Sequence, residues 1–319
     1  MMSILFILAG FALLLAGGEA LVRGSVAIAT KMGVSKLVIG LTLVGFGTSA
    51  PELVTSIQAA LSGASGIAIG NVVGSNIANI LLIIGASALL FPMACPREAV
   101  TRDGTIMAIA TILLAVVCFN GDITRPIGAV FVVLLLCYLA MTFYIEKRGK
   151  DKAGEMLEHE SEAMPSPFKS TSTNLLITFG GMGLLVLGAN MLVRGATELA
   201  TGLGVSETII GLTVVAIGTS LPELATSIMA AIKKQSDVAL GNVIGSNIFN
   251  ILAILGITTL IKPIPVPPEI MNLDIWVALG AAAILLIFAF SGRTISRTEG
   301  GILFGAYVAY IGTLALLSQ

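Results

Sequence analysis

Residues 21–57 read LVRGSVAIATKMGVSKLVIGLTLVGFGTSAPELVTSI, and residues 192–228 repeat them as LVRGATELATGLGVSETIIGLTVVAIGTSLPELATSI. Of these 37 aligned positions, 23 are identical at a constant offset of 171 residues. A second match follows, between GNVVGSNIANI at 70–80 and GNVIGSNIFNI at 241–251, with 9 of 11 positions identical. Shared hydrophobicity alone does not produce such identity. The chain therefore contains a duplicated unit of the kind found in many secondary transporters.

The composition around these repeats is that of a membrane protein. Of the 319 residues, 56% are hydrophobic and only 11% are charged, whereas soluble domains carry about a quarter charged residues. The apolar runs are continuous rather than alternating and long enough to cross a bilayer as helices, which argues against a membrane β-barrel. We expect the first run to be a retained helix, because no basic segment precedes it as in a signal peptide. We predict ten spans, at 3–22, 36–60, 66–91, 104–120, 124–145, 174–193, 207–232, 238–261, 272–290 and 299–317.

Five spans in each half give the two copies opposite orientations, because an odd number of crossings leaves the chain on the other side of the membrane. The basic residues test this arrangement, since Lys and Arg concentrate in cytoplasmic loops. With the N-terminus outside, 14 of the 17 Lys and Arg residues fall in cytoplasmic segments. We therefore predict an all-α polytopic membrane protein with ten transmembrane helices as two inverted five-helix repeats, and with both termini extracytoplasmic.

The chain divides into three predicted segments. They are a first membrane repeat over 1–145, a cytoplasmic linker over 146–173 and a second membrane repeat over 174–319. The linker is the longest polar stretch and mixes acidic with basic residues, which is typical of a solvated loop. A regulatory cation site in this loop is the alternative interpretation. The three cysteines have no CxxC spacing, so we interpret them as packing residues.

Only two carboxylates lie well inside the predicted spans, Glu52 and Glu223, and they occupy equivalent positions in the two copies. Ionisable groups at such depth are costly and usually functional. Each follows a proline in a GTSxPE segment, and proline inside a helix produces a kink that frees main-chain carbonyl groups. Thr48 and Glu52 are four residues apart and share a helix face. Each broken helix thus offers carboxylate, hydroxyl and carbonyl oxygens, the hard ligands that bind Ca²⁺ and Na⁺.

The next span of each copy carries polar residues at helical spacing. They are Asn71, Ser75 and Asn79 in the first copy, and Asn242, Ser246 and Asn250 in the second. We interpret Ser75, Asn79, Ser246 and Asn250 as cation ligands. For Asn71, Asn76, Asn242 and Asn247 we favour interhelical hydrogen bonds, which polar side chains in membrane helices commonly form.

Glu19 stands apart from these residues, because its repeat partner is the uncharged Asn190. Arg23 lies one turn further along the same predicted helix. We predict a Glu19–Arg23 ion pair near the membrane surface, where long charged side chains reach water.

The GTSAPE and GTSLPE segments, each followed by GNVxGSNIxNI, resemble the two α-repeats of the cation/Ca²⁺ antiporter superfamily, in particular its prokaryotic sodium/calcium exchanger family. The resemblance covers nearly the whole chain. It implies that the second, third, seventh and eighth spans form the ion-binding core, and that the first and sixth form a moving gate. Carried over by position, it implies side-chain ligands at Thr48, Ser49, Glu52, Ser75, Asn79, Thr219, Ser220, Glu223, Ser246 and Asn250, and main-chain ligands at Gly45 and Ala216. Some relatives, including potassium-dependent exchangers, carry Asp where this chain has Asn250, which weakens a potassium-dependent interpretation.

The function implied by the resemblance is secondary active antiport of Na⁺ and Ca²⁺ by alternating access in the plasma (inner) membrane. One Ca²⁺ neutralises the two carboxylates, and three Na⁺, the usual number in the family, exceed them by one charge. Exchange is then electrogenic. A Ca²⁺ (or other cation)/H⁺ antiporter on the same fold is the alternative, although the GNxxE-type motif usual in the proton-coupled branch is absent here.

Other classes of function fit the sequence less well. An intramembrane hydrolase needs a Ser–His, Ser–Lys or paired-Asp arrangement within the spans, but the predicted spans contain no His, and no Asp lies well inside one. A cation channel remains open, but two near-identical sites favour a carrier. We therefore expect no enzyme activity, no cofactor and no nucleic-acid partner. The expected partners are the transported Ca²⁺ and Na⁺ ions and the lipid bilayer, and protein partners are not indicated.

Overall fold

The structure is a computed structural model that describes the backbone of residues 2–97, 100–160, 170–203 and 216–317, and within these it leaves out the side chains of 146–160, 200, 201, 216 and 217. The first half contains the helices α1 (Met2–Met32), α2 (Lys36–Thr48), α3 (Ala50–Leu61), α4 (Ser65–Leu90), α5 (Val100–Cys118) and α6 (Arg125–Glu160). The second half contains α7 (Thr171–Gly202), α8 (Ala216–Thr219), α9 (Leu221–Ile232), α10 (Ser236–Ile261), α11 (Ile270–Gly292) and α12 (Arg297–Leu317).

Wherever the structure describes a predicted span, that span is helical. Eight of the described helices are long and apolar enough to cross a membrane, and the bent pair α2–α3 makes a ninth. For the predicted span 207–232, α8 and α9 are described, whereas 204–215 lies outside the described residues. Helix α6 continues to Glu160, beyond the predicted boundary at 145. The predicted linker therefore begins within a helix, and its residues 161–169 lie outside the description.

Four two-residue strands in the described part of the chain show that the two repeats are inverted relative to each other. They are β1 (Met93–Ala94), β2 (Asp122–Ile123), β3 (Ile264–Pro265) and β4 (Thr294–Ile295). β1 pairs antiparallel with β4, and β2 with β3. β1 precedes α5 and β2 follows it, so the two small sheets lie at opposite ends of that helix. Because β1 and β3 are repeat equivalents, the two copies have opposite orientations.

Helices α1 and α7 are in close contact along glycine heptads. The glycines are Gly10, Gly17 and Gly24 in α1, and Gly181, Gly188 and Gly195 in α7. Gly10 faces Gly188 while Gly17 faces Gly181, so the two helices are antiparallel. A Cβ atom built on Gly17 lies 2.8 Å from the main-chain nitrogen of Leu185. The backbones therefore touch, as small residues allow in membrane helix pairs, and α1 and α7 form one packing unit.

Candidate cation site

The helix that carries each GTSxPE segment is broken, which confirms the predicted kink. α2 and α3 meet at Ser49 with a bend of 42°. Ser49 has φ −85° and ψ 3°, and its repeat partner Ser220, between α8 and α9, has φ −89° and ψ 6°. These angles lie in the sparsely populated region that many active-site residues adopt. The break precedes the proline because the proline ring excludes the carbonyl group one turn back in a regular helix.

Glu52 and Glu223 lie in the first turns of α3 and α9, and each is 1% exposed. The Ser49 hydroxyl donates to Glu223 Oε1 at 3.1 Å, so a residue of one repeat holds the carboxylate of the other. Among the described residues, Glu52 Oε1, Glu52 Oε2 and Glu223 Oε2 have no hydrogen-bond partner, and no ion pair involves either glutamate.

Asn79 and Asn250 each begin a π-helical turn, Asn79–Ile84 within α4 and Asn250–Leu255 within α10. Such turns are rare and frequently occur at functional sites. Both side chains are buried, and their amide oxygens have no partner in the described residues. α3 packs against the π turn that begins at Asn250, and α9 packs against the one that begins at Asn79. Each glutamate-bearing helix thus contacts the asparagine-bearing turn of the opposite repeat.

These four side chains supply five of the eleven buried side-chain atoms without a hydrogen-bond partner in the described residues, including all of the carboxylate oxygens among them. Buried polar atoms in proteins are nearly always paired, so an unpaired group needs an explanation. Carboxylate and amide oxygens are preferred ligands of Ca²⁺ and other hard cations. The arrangement is therefore chemically suited to a desolvated cation.

The Gly45 carbonyl, a predicted main-chain ligand, lies where the two repeats meet. It accepts hydrogen bonds from the Ser49 main-chain N–H (3.1 Å), the Thr48 hydroxyl (3.3 Å) and the Ser246 hydroxyl (3.4 Å). Thr48 Oγ1 also donates to Asn242 Oδ1 at 3.2 Å. Helix α2 of the first repeat is thereby tied to α10 of the second.

The remaining predicted ligands lie around the same helices. Ser75 is buried in α4, and Ser220 is buried at the break before α9. Thr219 lines a cavity of about 160 Å³, together with Pro51, Pro222 and residues of α7. Ala216 opens α8, but its side chain and surroundings lie outside the description.

Asn71 and Asn242 form the interhelical hydrogen bonds that we predicted, and they do so symmetrically. Asn71 Nδ2 donates to the Glu52 carbonyl oxygen at 3.2 Å and to Ser56 Oγ at 2.9 Å. Asn242 Nδ2 donates to the Glu223 carbonyl oxygen at 3.4 Å and to the Ser227 hydroxyl at 3.0 Å. These bonds join the first turn of α3 to α4 and the first turn of α9 to α10.

Two repeat-matched aspartates were not singled out by the sequence analysis. Asp103, just before the predicted span 104–120, is fully buried and accepts from Tyr138 Oη at 3.2 Å and from Arg102 Nε at 2.8 Å. Asp274 accepts from Tyr310 Oη at 2.8 Å. Their shared offset of 171 residues was the available signal. These bonds join α5 to α6 and α11 to α12.

The predicted Glu19–Arg23 ion pair is present. Glu19 Oε1 also accepts from Lys233 Nζ at 2.8 Å, a contact that the sequence analysis did not anticipate. Lys233 is the C-terminal capping residue that follows the last residue of α9. The second ion pair therefore connects the α1–α7 unit to the helix that carries Glu223.

An inverted repeat of membrane helices around unpaired carboxylate and amide oxygens defines a secondary transporter for cations. The sequence model of the family described as sodium/calcium exchanger protein matches residues 2–144 and 173–316. The chain belongs to this family. This is a family of ion exchangers rather than of enzymes.

Individual relatives are similar over almost the whole chain. The sodium/calcium exchanger MaX1 of Methanosarcina acetivorans is 37% identical, with 98% of each chain covered. The inner membrane protein YrbG of Escherichia coli is 31% identical over 98% of this chain and 96% of its own length. The solved structure of the sodium-calcium exchanger NCX_Mj soaked with 2.5 mM Na⁺ and 0.1 mM Ca²⁺ matches with a TM-score of 0.84 at 32% identity, covering 98% of this chain and 99% of that chain. The predicted fold and family are confirmed.

Proposed function

We propose that this cation antiporter exchanges Na⁺ for Ca²⁺ across the membrane by alternating access. The observation that carries the proposal is the set of five unpaired buried oxygens from Glu52, Glu223, Asn79 and Asn250. Two carboxylates give such a site a charge of about −2, which one Ca²⁺ or more than one Na⁺ neutralises. The matching structure of NCX_Mj, described as a sodium-calcium exchanger, supports the same assignment.

The proposed ligands are those that follow from the repeats. The carboxylates supply the charge, and the neutral oxygens complete the coordination that Ca²⁺ takes from six to eight oxygens. The full proposed set comprises Thr48, Ser49, Glu52, Ser75, Asn79, Thr219, Ser220, Glu223, Ser246, Asn250 and the carbonyls of Gly45 and Ala216.

Strict exchange without leak requires that the transporter does not switch its open side while the site is empty. Moving two bare carboxylates through a dehydrated state is expensive, because their charge is neither solvated nor paired. A bound cation removes that barrier. The α1–α7 unit would act as the gate, since it packs against α9 and lines the cavity beside Thr219.

The proposed cellular arrangement is a plasma (inner) membrane protein with both termini extracytoplasmic and the 146–173 segment in the cytoplasm. The two membrane repeats, 1–145 and 174–319, are the proposed domains. The distribution of basic residues supports this orientation, and the relative YrbG is described as an inner membrane protein.

Radioactive Ca²⁺ uptake into proteoliposomes tests the coupling ion. In separate assays, an outward gradient of Na⁺, of H⁺ or of K⁺ would be imposed across the vesicle membrane, with the membrane potential held at zero. We expect uptake only with the Na⁺ gradient. Uptake driven by H⁺ and not by Na⁺ would instead establish the Ca²⁺ (or other cation)/H⁺ antiporter.

A further inference from the structure

Four asparagines of the two GSNIxNI segments form a hydrogen-bonded cluster that crosses the repeats. Asn250 Nδ2 donates to Asn76 Oδ1 at 2.9 Å, and Asn79 Nδ2 donates to Asn247 Oδ1 at 3.0 Å. All four side chains are buried. Each bond therefore joins the last asparagine of one segment to the earlier asparagine of the other.

This pairing fixes the orientation of the Asn79 and Asn250 carboxamide groups. An asparagine amide has a donor nitrogen and an acceptor oxygen on opposite corners of a planar group. Once the nitrogens of Asn79 and Asn250 are engaged by Asn247 and Asn76, their oxygens must point the other way. Those oxygens are the atoms without a partner in the described residues. A rotation by half a turn would present an N–H group, which repels a cation.

Asn76 and Asn247 are themselves held in the required orientation. Asn76 Nδ2 donates to the main-chain carbonyl of Asn247 at 3.3 Å, and Asn247 Nδ2 contacts Met107 Sδ at 3.5 Å. With their nitrogens engaged elsewhere, both residues offer only their oxygens to Asn250 and Asn79. Asn76 and Asn247 therefore orient Asn250 and Asn79, and are themselves oriented by further contacts.

We propose that Asn76 and Asn247 are positioning residues that set the oxygen-inward orientation of Asn250 and Asn79, each acting on the opposite repeat. The inference rests on the proposed function, in which Asn79 and Asn250 are cation ligands. It assigns Asn76 and Asn247 a part in cation affinity, beyond joining α4 to α10. Groups that orient metal ligands typically change metal affinity by roughly 10- to 100-fold when removed.

Double-mutant cycles in Na⁺-driven Ca²⁺ uptake test this pairing, with the KM for Ca²⁺ and the maximal rate measured separately. Asn76→Ala and Asn250→Ala should each raise the KM by roughly tenfold or more. The double variant should be no weaker than Asn250→Ala alone, because Asn76 has no effect once its ligand is absent. The pair Asn247→Ala and Asn79→Ala should behave in the same way. The unmatched pair Asn76→Ala with Asn79→Ala should show multiplied effects.

Asn76→Asp keeps the shape and an acceptor oxygen, so it guards against a variant that does not fold. It should retain a KM well below that of Asn76→Ala. If the increases in KM multiply within the matched pairs, or if Asn76→Asp raises the KM as much as Asn76→Ala does, the positioning role is overturned. The proposed function would not be affected by either result. Unchanged KM values in Asn79→Ala and Asn250→Ala would instead remove both residues from the ligand set of the proposed function.

Discussion

At the scale of single residues, the site is defined by oxygens that the protein leaves unpaired. Glu223 receives one hydrogen bond from Ser49, whereas both oxygens of Glu52 lack a partner in the described residues. A buried carboxylate without a counter-charge is unfavourable, and a lysine or arginine beside it would relieve that cost. No described ion pair does so for either glutamate. In the proposed function, the transported cation supplies this positive charge.

The first prediction follows from these two buried carboxylates, which have no described ion pair. Glu52→Gln and Glu223→Gln should each abolish Na⁺-driven Ca²⁺ uptake, because each removes half of the charge that attracts Ca²⁺. The loss should exceed the roughly 10- to 100-fold typical of removing a group that only orients a ligand. The measurement is uptake into proteoliposomes with equal amounts of inserted protein.

Glu269→Gln is the matched control, since Glu269 is an exposed carboxylate that precedes the first turn of α11. It should transport at the wild-type rate. Normal Ca²⁺ flux in either site variant would remove that glutamate from the proposed ligand set.

The residues of the site differ in how far the sequence revealed them. Glu52, Glu223 and the breaks before them followed from the duplication and from proline chemistry. The pairing of Asn76 with Asn250 did not, because it depends on the register between α4 and α10, which lie in different repeats. The burial of Asp103 was missed because it lies just before an apolar run rather than inside it. Local patterns thus identified the candidate ligands but not the residues that orient them.

At the scale of helices, two features distinguish the architecture: π turns in the core and glycine contacts between α1 and α7. The π turns begin at Asn79 and Asn250, and the sequence analysis did not predict them, since a shift in hydrogen-bond register has no simple residue signature. The heptads of glycine were visible in the sequence, but the partner of each helix was not. In the structure, Gly10, Gly17 and Gly24 face α7 through backbone contacts.

Glycine substitution along this contact gives the second prediction. Gly17→Ala should destabilise the protein, because the added Cβ would lie 2.8 Å from Leu185 N and 2.9 Å from Gly181 O. Overpacking of this kind costs about 1–3 kcal/mol. Thermal unfolding in detergent measures the effect.

The control lies on α7, where a Cβ on Gly180 would meet no atom within 4 Å. Gly180→Ala should leave the unfolding temperature unchanged or raise it, because alanine is favoured over glycine in helices by about 1 kcal/mol. Equal destabilisation by both substitutions would show that the α1–α7 contact is looser than the structure indicates.

At the scale of the whole molecule, the inverted repeats place equivalent elements of the two copies on opposite sides of the protein. The β1–β4 and β2–β3 pairs at opposite ends of α5 show that equivalent elements face opposite sides. The sequence predicted this inversion from five spans in each half, and the prediction holds. The sequence could not specify the contacts between the repeats, because these depend on the three-dimensional packing of helices that are far apart in the chain.

The third prediction concerns orientation in the membrane. Reporter fusions should place residues 1 and 319 outside and the 146–173 segment in the cytoplasm, because that arrangement puts 14 of 17 basic residues inside. Fusions with an alkaline phosphatase and with a fluorescent protein report opposite sides and therefore check each other. A C-terminus on the same side as the 146–173 segment would contradict the proposed topology.

The fourth prediction arises from an ion pair that breaks the symmetry of the repeats. Glu19 on α1 pairs with Lys233 at the end of α9, whereas the equivalent positions in the other copies are Asn190 and Ser62. In the proposed alternating-access cycle, the α1–α7 unit would move to close the opposite side, where no equivalent ion pair could form. On that proposal, the Glu19–Lys233 pair would stabilise one of the two conformations selectively. A partly exposed pair contributes about 0.5–1 kcal/mol, which corresponds to roughly a two- to fivefold shift in population.

Removing the pair should consequently make the two faces of the transporter more alike. In vesicles of defined orientation, Lys233→Ala and Glu19→Gln should change the ratio of the KM for Ca²⁺ on the two faces by roughly two- to fivefold, in the same direction. Glu198→Gln is the control, since the Glu198–Arg194 pair lies within α7 and does not cross to α9. The double substitution Asn190→Glu with Ser62→Lys should move the ratio the same way, because it supplies the missing pair to the opposite conformation. A ratio that stays constant in all of these variants would mean that the ion pair persists in both conformations and does not bias the exchange cycle.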